Sequence, residues 1–85
     1  MTTNTEYEVI VEFSFNEKSE QFVIRFLSGE SYCLPVKDLP KRLITKKPAY
    51  KAAKLNPTHN SLLFEAAGEV REIPFHMIHS KGTPI

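Results

Sequence analysis

Two glycine turns, 39 residues apart, constrain this chain more than any other feature of its sequence. Gly29-Glu30 is followed by Leu34-Pro35-Val36 and then Leu39; Gly68-Glu69 is followed by Ile73-Pro74-Phe75 and then Ile78. The offsets from each glycine agree, which reads as an internal repeat covering residues 22–39 and 61–78. Each copy has the chemistry of a hairpin module. A glycine supplies the left-handed turn position, an apolar run returns as a strand, and proline stops it because it has no amide to donate to a ladder. Before the glycines the copies are out of step, with Phe26 three residues ahead of Gly29 and Phe64 four ahead of Gly68. An extra residue in the second loop, Ala66-Ala67-Gly68, accounts for this and sets Phe64 opposite Val70.

The rest of the chain fits around these modules. Residues 6–15 alternate, with Tyr7, Val9, Val11, Phe13 and Phe15 on one face and Glu6, Glu8, Glu12 and Ser14 on the other; Ile10 alone breaks the pattern. The polar run Asn16 to Glu20 is a five-residue loop, and Phe22 to Leu27 is a second strand antiparallel to the first. Asp38 is placed to cap a short turn over Lys41 to Thr45, and Pro48 opens the main helix, which carries Ala49, Ala52, Ala53 and Leu55 as its apolar set before Asn56-Pro57 ends it. Ser61 to Glu65 and Glu69 to Ile73 form the second hairpin, and Phe75 to His79 a last single turn. The expected fold is α+β: a small antiparallel sheet of about five strands in two related hairpin modules, joined by a basic segment with one short helix. In so small a sheet, Glu6 to Phe15 and Ser61 to Glu65 are the candidate open edges.

At 85 residues and 9.7 kDa the chain makes one domain. A domain of this size buries about two-thirds of its unfolded surface, which leaves little room for a deep catalytic cleft. Residues 1–5 and 81–85 are polar or turn-forming and are expected to fray. No charged and apolar leader opens the sequence, and no apolar run approaches the ~20 residues of a membrane helix, so a cytoplasmic location without membrane contact is expected. A single cysteine, Cys33, fits a reducing compartment, where it serves as a small buried hydrophobe.

Net charge is +1, yet the charges are segregated. Residues 1–36 carry net −4, residues 37–54 net +6, and residues 55–85 net −1. Lys37, Lys41, Arg42, Lys46, Lys47, Lys51 and Lys54 crowd the joining segment, and Lys47, Lys51 and Lys54 align along one side of a helix there. With Tyr50 among them, these residues form the candidate interaction surface. It suits an acidic protein, or a second copy presenting Glu6, Glu8 and Glu12. The alternative is weak nucleic-acid binding through residues 37–54, with Tyr50 stacking on a base. A solvated surface with no partner is the plain reading.

Catalytic and metal chemistry is thinly represented. His76-x-x-His79 and Cys33 could supply three metal ligands, but no paired cysteines or nearby aspartate joins them. Cys33 lies mid-strand, Glu65, Glu69 and Glu72 sit on a hairpin rim, His59 lies in a turn, and no phosphate loop exists. No cofactor, metal or enzymatic role is therefore expected. The order Phe26-Leu27-Ser28-Gly29-Glu30, Leu39, a short helix, Leu62-Leu63-Phe64, Gly68 and Ile73-Pro74 resembles a family of small uncharacterised bacterial α+β domains, over residues 22–80. That resemblance implies a bacterial protein without catalytic residues, sometimes encoded beside a putative toxin that it binds. It assigns no functional residue.

Overall fold

Apolar alternation and glycine turns build two antiparallel sheets whose inner faces meet in one core. The computed structural model describes residues 5–85; the expectation for residues 1–4 lies outside the described residues. Strand β1 (Ile10–Asn16) pairs with β2 (Gln21–Phe26), β2 with β3 (Ser31–Pro35), and β3 with β7 (Thr83–Pro84). A second sheet holds β4 (Lys54–Leu55), β5 (Ser61–Ala66) and β6 (Glu69–Pro74) in that order. Helices α1 (Lys47–Lys51) and α2 (Phe75–Lys81) follow the first and second modules, with 3-10 turns at Val36–Asp38 and Lys41–Leu43. The fold is α+β and antiparallel, but the described residues form seven strands in two sheets rather than about five in one. Ile10, Phe22, Ile24, Phe26 and Leu34 from the first sheet share a single buried cluster with Leu62, Phe64 and Ile73 from the second.

The residue that broke the alternation explains the first strand. Ile10 pairs with Phe26 and Glu12 with Arg25, so Val11 is an extra residue in a β-bulge. The bulge rephases the strand: Ile10, Phe13 and Phe15 lie opposite Phe26, Ile24 and Phe22. Ile10 is fully buried, whereas Val11 and Tyr7, expected on the apolar face, are exposed. The loop that follows is one residue shorter than expected, because Asn16 and Gln21 already pair; Asn16 Oδ1 accepts from the Lys18 and Ser19 amides at 3.0 and 3.1 Å.

Both expected hairpins form, and they differ in detail. Gly29 and Gly68 have φ of 96° and 77°, and Pro35 and Pro74 each end a strand and start a helical turn. Leu39 and Ile78, the matched residues beyond, are both buried. The extra loop residue, however, belongs to the first hairpin. Phe26 donates to the Glu30 carbonyl at 2.8 Å across the three-residue loop Leu27-Ser28-Gly29. The second hairpin closes on two residues, Ala67 and Gly68, both left-handed, as a twisted two-residue turn requires. Phe64 therefore faces Arg71, and Val70 faces Glu65 on the outside.

Three further differences follow from tertiary pairing overriding local preference. The main helix is five residues long, because Lys54 and Leu55 leave it to pair with Leu63 and Leu62. Asp38 lies inside the first 3-10 turn instead of capping the next, whose N-cap is Pro40. Residues 81–85, expected to fray, carry β7; Thr83 and Pro84 pair with Cys33 and Tyr32, and the Ile85 amide donates to the Ser31 carbonyl at 2.9 Å. Gly82 permits this return, since a Cβ there would stand 2.5 Å from the Ile78 carbonyl oxygen.

Two substitutions test these backbone assignments by urea denaturation. Ala67 has φ of 54° without being glycine, so Ala67→Gly should stabilise the fold by about 0.5–1 kcal/mol, relief of left-handed strain exceeding the added chain entropy. Gly82→Ala should destabilise it by about 1–3 kcal/mol through overpacking against backbone.

Candidate functional site

Connector residues 36–54 do not float between the modules; apolar residues pin them at intervals. Val36, Leu39, Leu43 and Tyr50 are buried, while Lys37, Lys41, Arg42, Lys46, Lys47, Lys51 and Lys54 are exposed. The two 3-10 turns arise from this spacing, because each presents one apolar side chain inward and its charged neighbours outward. Ile44 stands among the bases at 47% exposure.

Tyr50 is the one candidate that the structure removes from the surface. It is 2% exposed, with its ring 5.2 Å from Phe15, 5.5 Å from Phe22 and 5.2 Å from Phe64. Its hydroxyl donates to the Leu43 carbonyl and accepts from the Thr45 amide, each at 2.8 Å. A ring held this way cannot stack on a base. It lay hidden in the sequence because Tyr50 sits among lysines and alanines, and the helical apolar set passed it over.

The remaining bases divide into two groups. Lys51 Nζ lies 3.1 Å from Glu17 and Lys47 Nζ 3.8 Å from Glu20, so α1 folds back on the acidic loop between β1 and β2. Part of the charge segregation is thus consumed within the chain, through exposed pairs of small energetic weight. Lys54, expected in line with them on a helix, is carried away on β4. Lys37, Lys41, Arg42 and Lys46 have no carboxylate within ion-pair distance among the described residues. These four, with Ile44, are the surface that remains.

On the acidic side, Glu12 is engaged by Arg25 Nε at 2.9 Å across the β1–β2 pair. That contact holds the Glu12 carboxyl below its usual range, first by the hydrogen bond and then by charge.

The residues considered for chemistry are dispersed. His79 stacks on Phe26 at 4.6 Å, meets the Tyr32 ring edge-on at 4.8 Å, and places Nε2 2.7 Å from the Tyr7 carbonyl. His76 and His59 are exposed. Cys33 alternates with Tyr32 and Leu34, so it lies on the outer face of β3, half-buried rather than in the core. Among the described residues no three His, Cys, Asp or Glu side chains are grouped to hold a metal ion. An open depression of about 390 Å³ beside α1 is lined by Ala49, Ala52, Lys54, Leu63, Phe64, Glu65 and Val70. Lys54 and Glu65 are its only charged lining groups. Among the described residues no helix is long and apolar enough to cross a membrane.

Comparison with known proteins returns no matching family model, no similar curated protein and no similar solved structure.

Tyr50 gives a test with a defined pH signature. Burial pushes its hydroxyl above the ordinary tyrosine range, and the Thr45 amide pulls it partly back. The folded state then keeps a proton that the unfolded chain loses, so stability is full below pH ~10 and falls as pH climbs beyond it. Tyr50→Phe should cost about 1–3 kcal/mol at neutral pH, since it leaves the Thr45 amide and Leu43 carbonyl unpaired, and should flatten the alkaline decline. Urea denaturation at pH ~7 and pH ~10.5 reads both effects.

Proposed function

We propose that this chain is a small non-enzymatic domain that works by protein–protein contact, with a second copy of itself or with a larger acidic partner. The observation that carries the reading is the connector between the modules. Buried Val36, Leu39 and Leu43 fix it to the core, and it leaves Lys37, Lys41, Arg42 and Lys46 exposed, with Ile44 exposed in the same segment. Exposed cations with an apolar side chain among them in the chain suit an acidic protein surface with a hydrophobic centre. A toxin-like partner in a bacterial cytoplasm, as the family resemblance implies, is one such protein.

Weak nucleic-acid binding is the second reading, favoured by the same four unpaired bases. Burial of Tyr50 counts against it, since that ring is closed off from stacking on a base.

Two measurements separate these outcomes. Affinity capture from native lysate is run with the natural chain and with the Lys37→Glu/Lys41→Glu/Arg42→Glu variant, beside titration with single-stranded DNA and RNA at about 20 mM salt. The expected result is an acidic protein held by the natural chain, lost on charge reversal, and no saturable nucleic-acid binding. Nucleic-acid binding that weakens steeply with salt and disappears in the variant would favour the second reading. A strict monomer whose captured proteins are the same with and without the charge reversal would end the contact reading.

A further inference from the structure

Sheet edges are the places where a β protein can take up another chain, and this protein treats its four edges unequally. β7 is two residues long and ends in Pro84, and β4 is also two residues long. β1 is bulged at Val11, and the Ile10 amide is used by the His59 carbonyl at 2.7 Å. Ser61 to Glu65, read from the sequence as an open edge, is instead the central strand of its sheet. Among the described residues β6 is an edge strand free of these devices. It runs six residues in unbroken register, and among the described residues no loop backbone bonds to Glu69–Ile73.

The hairpin fixes which groups point off that edge. Ala66 and Glu69 close the two-residue turn as a hydrogen-bonded pair, so alternation turns the N–H and C=O of Val70 and Glu72 outward. Val70 is 67% exposed, high for a valine in a strand. Glu69 and Arg71 flank it, and their side chains pair at 3.0 Å. Arg71 Nε is buried without a hydrogen-bond partner.

We infer that β6 pairs antiparallel with β6 of a second copy, in the register centred on Val70. The sequence Glu69-Val70-Arg71 is self-complementary under a two-fold axis through its middle residue. Val70 of each copy meets the other and exchanges both backbone hydrogen bonds. Glu69 of each copy faces the second copy's Arg71, which closes a ring of four alternating charges. Shifting the register by one residue either way sets Arg71 against Arg71 or removes the Val70 contact, so charge selects one alignment. The chain already uses such a cross-strand pair, between Glu12 and Arg25 at 2.9 Å. The two three-stranded sheets then become one of six strands. An edge this short buries less than a standard interface, so the dimer is weak, with a dissociation constant on the order of 0.1–1 mM.

This inference rests on reading the domain as a contact module, but it uses the backbone edge of β6 rather than the side chains of the basic connector. Sedimentation velocity from about 10 µM to about 1 mM tests it, with circular dichroism confirming that each variant is folded. The natural chain should move from monomer toward dimer over that range. Val70→Lys and Glu69→Arg should each raise the dissociation constant at least about tenfold, and Glu69→Arg/Arg71→Glu should bring it back to within about threefold of the natural value. Val70 is exposed, so Val70→Lys keeps the fold and decides the question even if the charge exchange does not fold. A monomer throughout, a dimer indifferent to Val70→Lys, or a folded charge-exchanged variant that stays monomeric overturns the proposal. Failure here, with a partner still held by the connector bases, leaves the broader contact reading standing.

Discussion

Tyr50 is the point at which the two halves of this protein are fastened together. Its ring touches Phe15 and Phe22 of one sheet and Phe64 of the other, and its hydroxyl ties down the connector at Leu43 and Thr45. Neither hairpin module can bury its apolar face alone, because an isolated two-stranded hairpin is marginal in water. Facing the modules toward each other solves that problem only if something fills the space where the sheets diverge. A large aromatic side chain with a polar tip does so, and the tip then finds partners in the chain that carries it.

Two consequences follow for the surface. Holding Tyr50 inward forces its neighbours Lys47 and Lys51 outward, onto the acidic loop that contains Glu17 and Glu20. Holding Leu39 and Leu43 inward leaves Lys37, Lys41, Arg42 and Lys46 exposed, with no carboxylate in ion-pair distance among the described residues. The basic face is therefore what remains once the core has taken its share of the connector. Its four free cations are a smaller site than the seven bases of the segment imply.

Much of this architecture was legible in the sequence because it depends on local chemistry. Glycine at a left-handed position, proline at a strand end and a period-two pattern act within a few residues, and both glycine turns close antiparallel hairpins. What stayed hidden depends on partners distant in the chain. The bulge at Val11 makes sense only once Ile10 meets Phe26, and the early end of α1 only once Leu55 finds Leu62. Reading the extra loop residue into the wrong hairpin has the same origin: the two-residue turn at Ala67-Gly68 forces alanine to positive φ, a cost that local preference argues against and sheet twist repays. The basic segment itself was legible as a charge run. The removal of Tyr50 from it was not, because an isolated tyrosine among lysines carries no periodic signal.

Both sheets share one core, and Tyr50 closes it. Nuclear Overhauser contacts from the Tyr50 ring measure this directly. They should reach Phe15 and Phe22 and also Phe64, with a Tyr50 hydroxyl proton slow enough in exchange to be seen. A mobile Tyr50 ring with contacts to one sheet alone, or to neither, would contradict it.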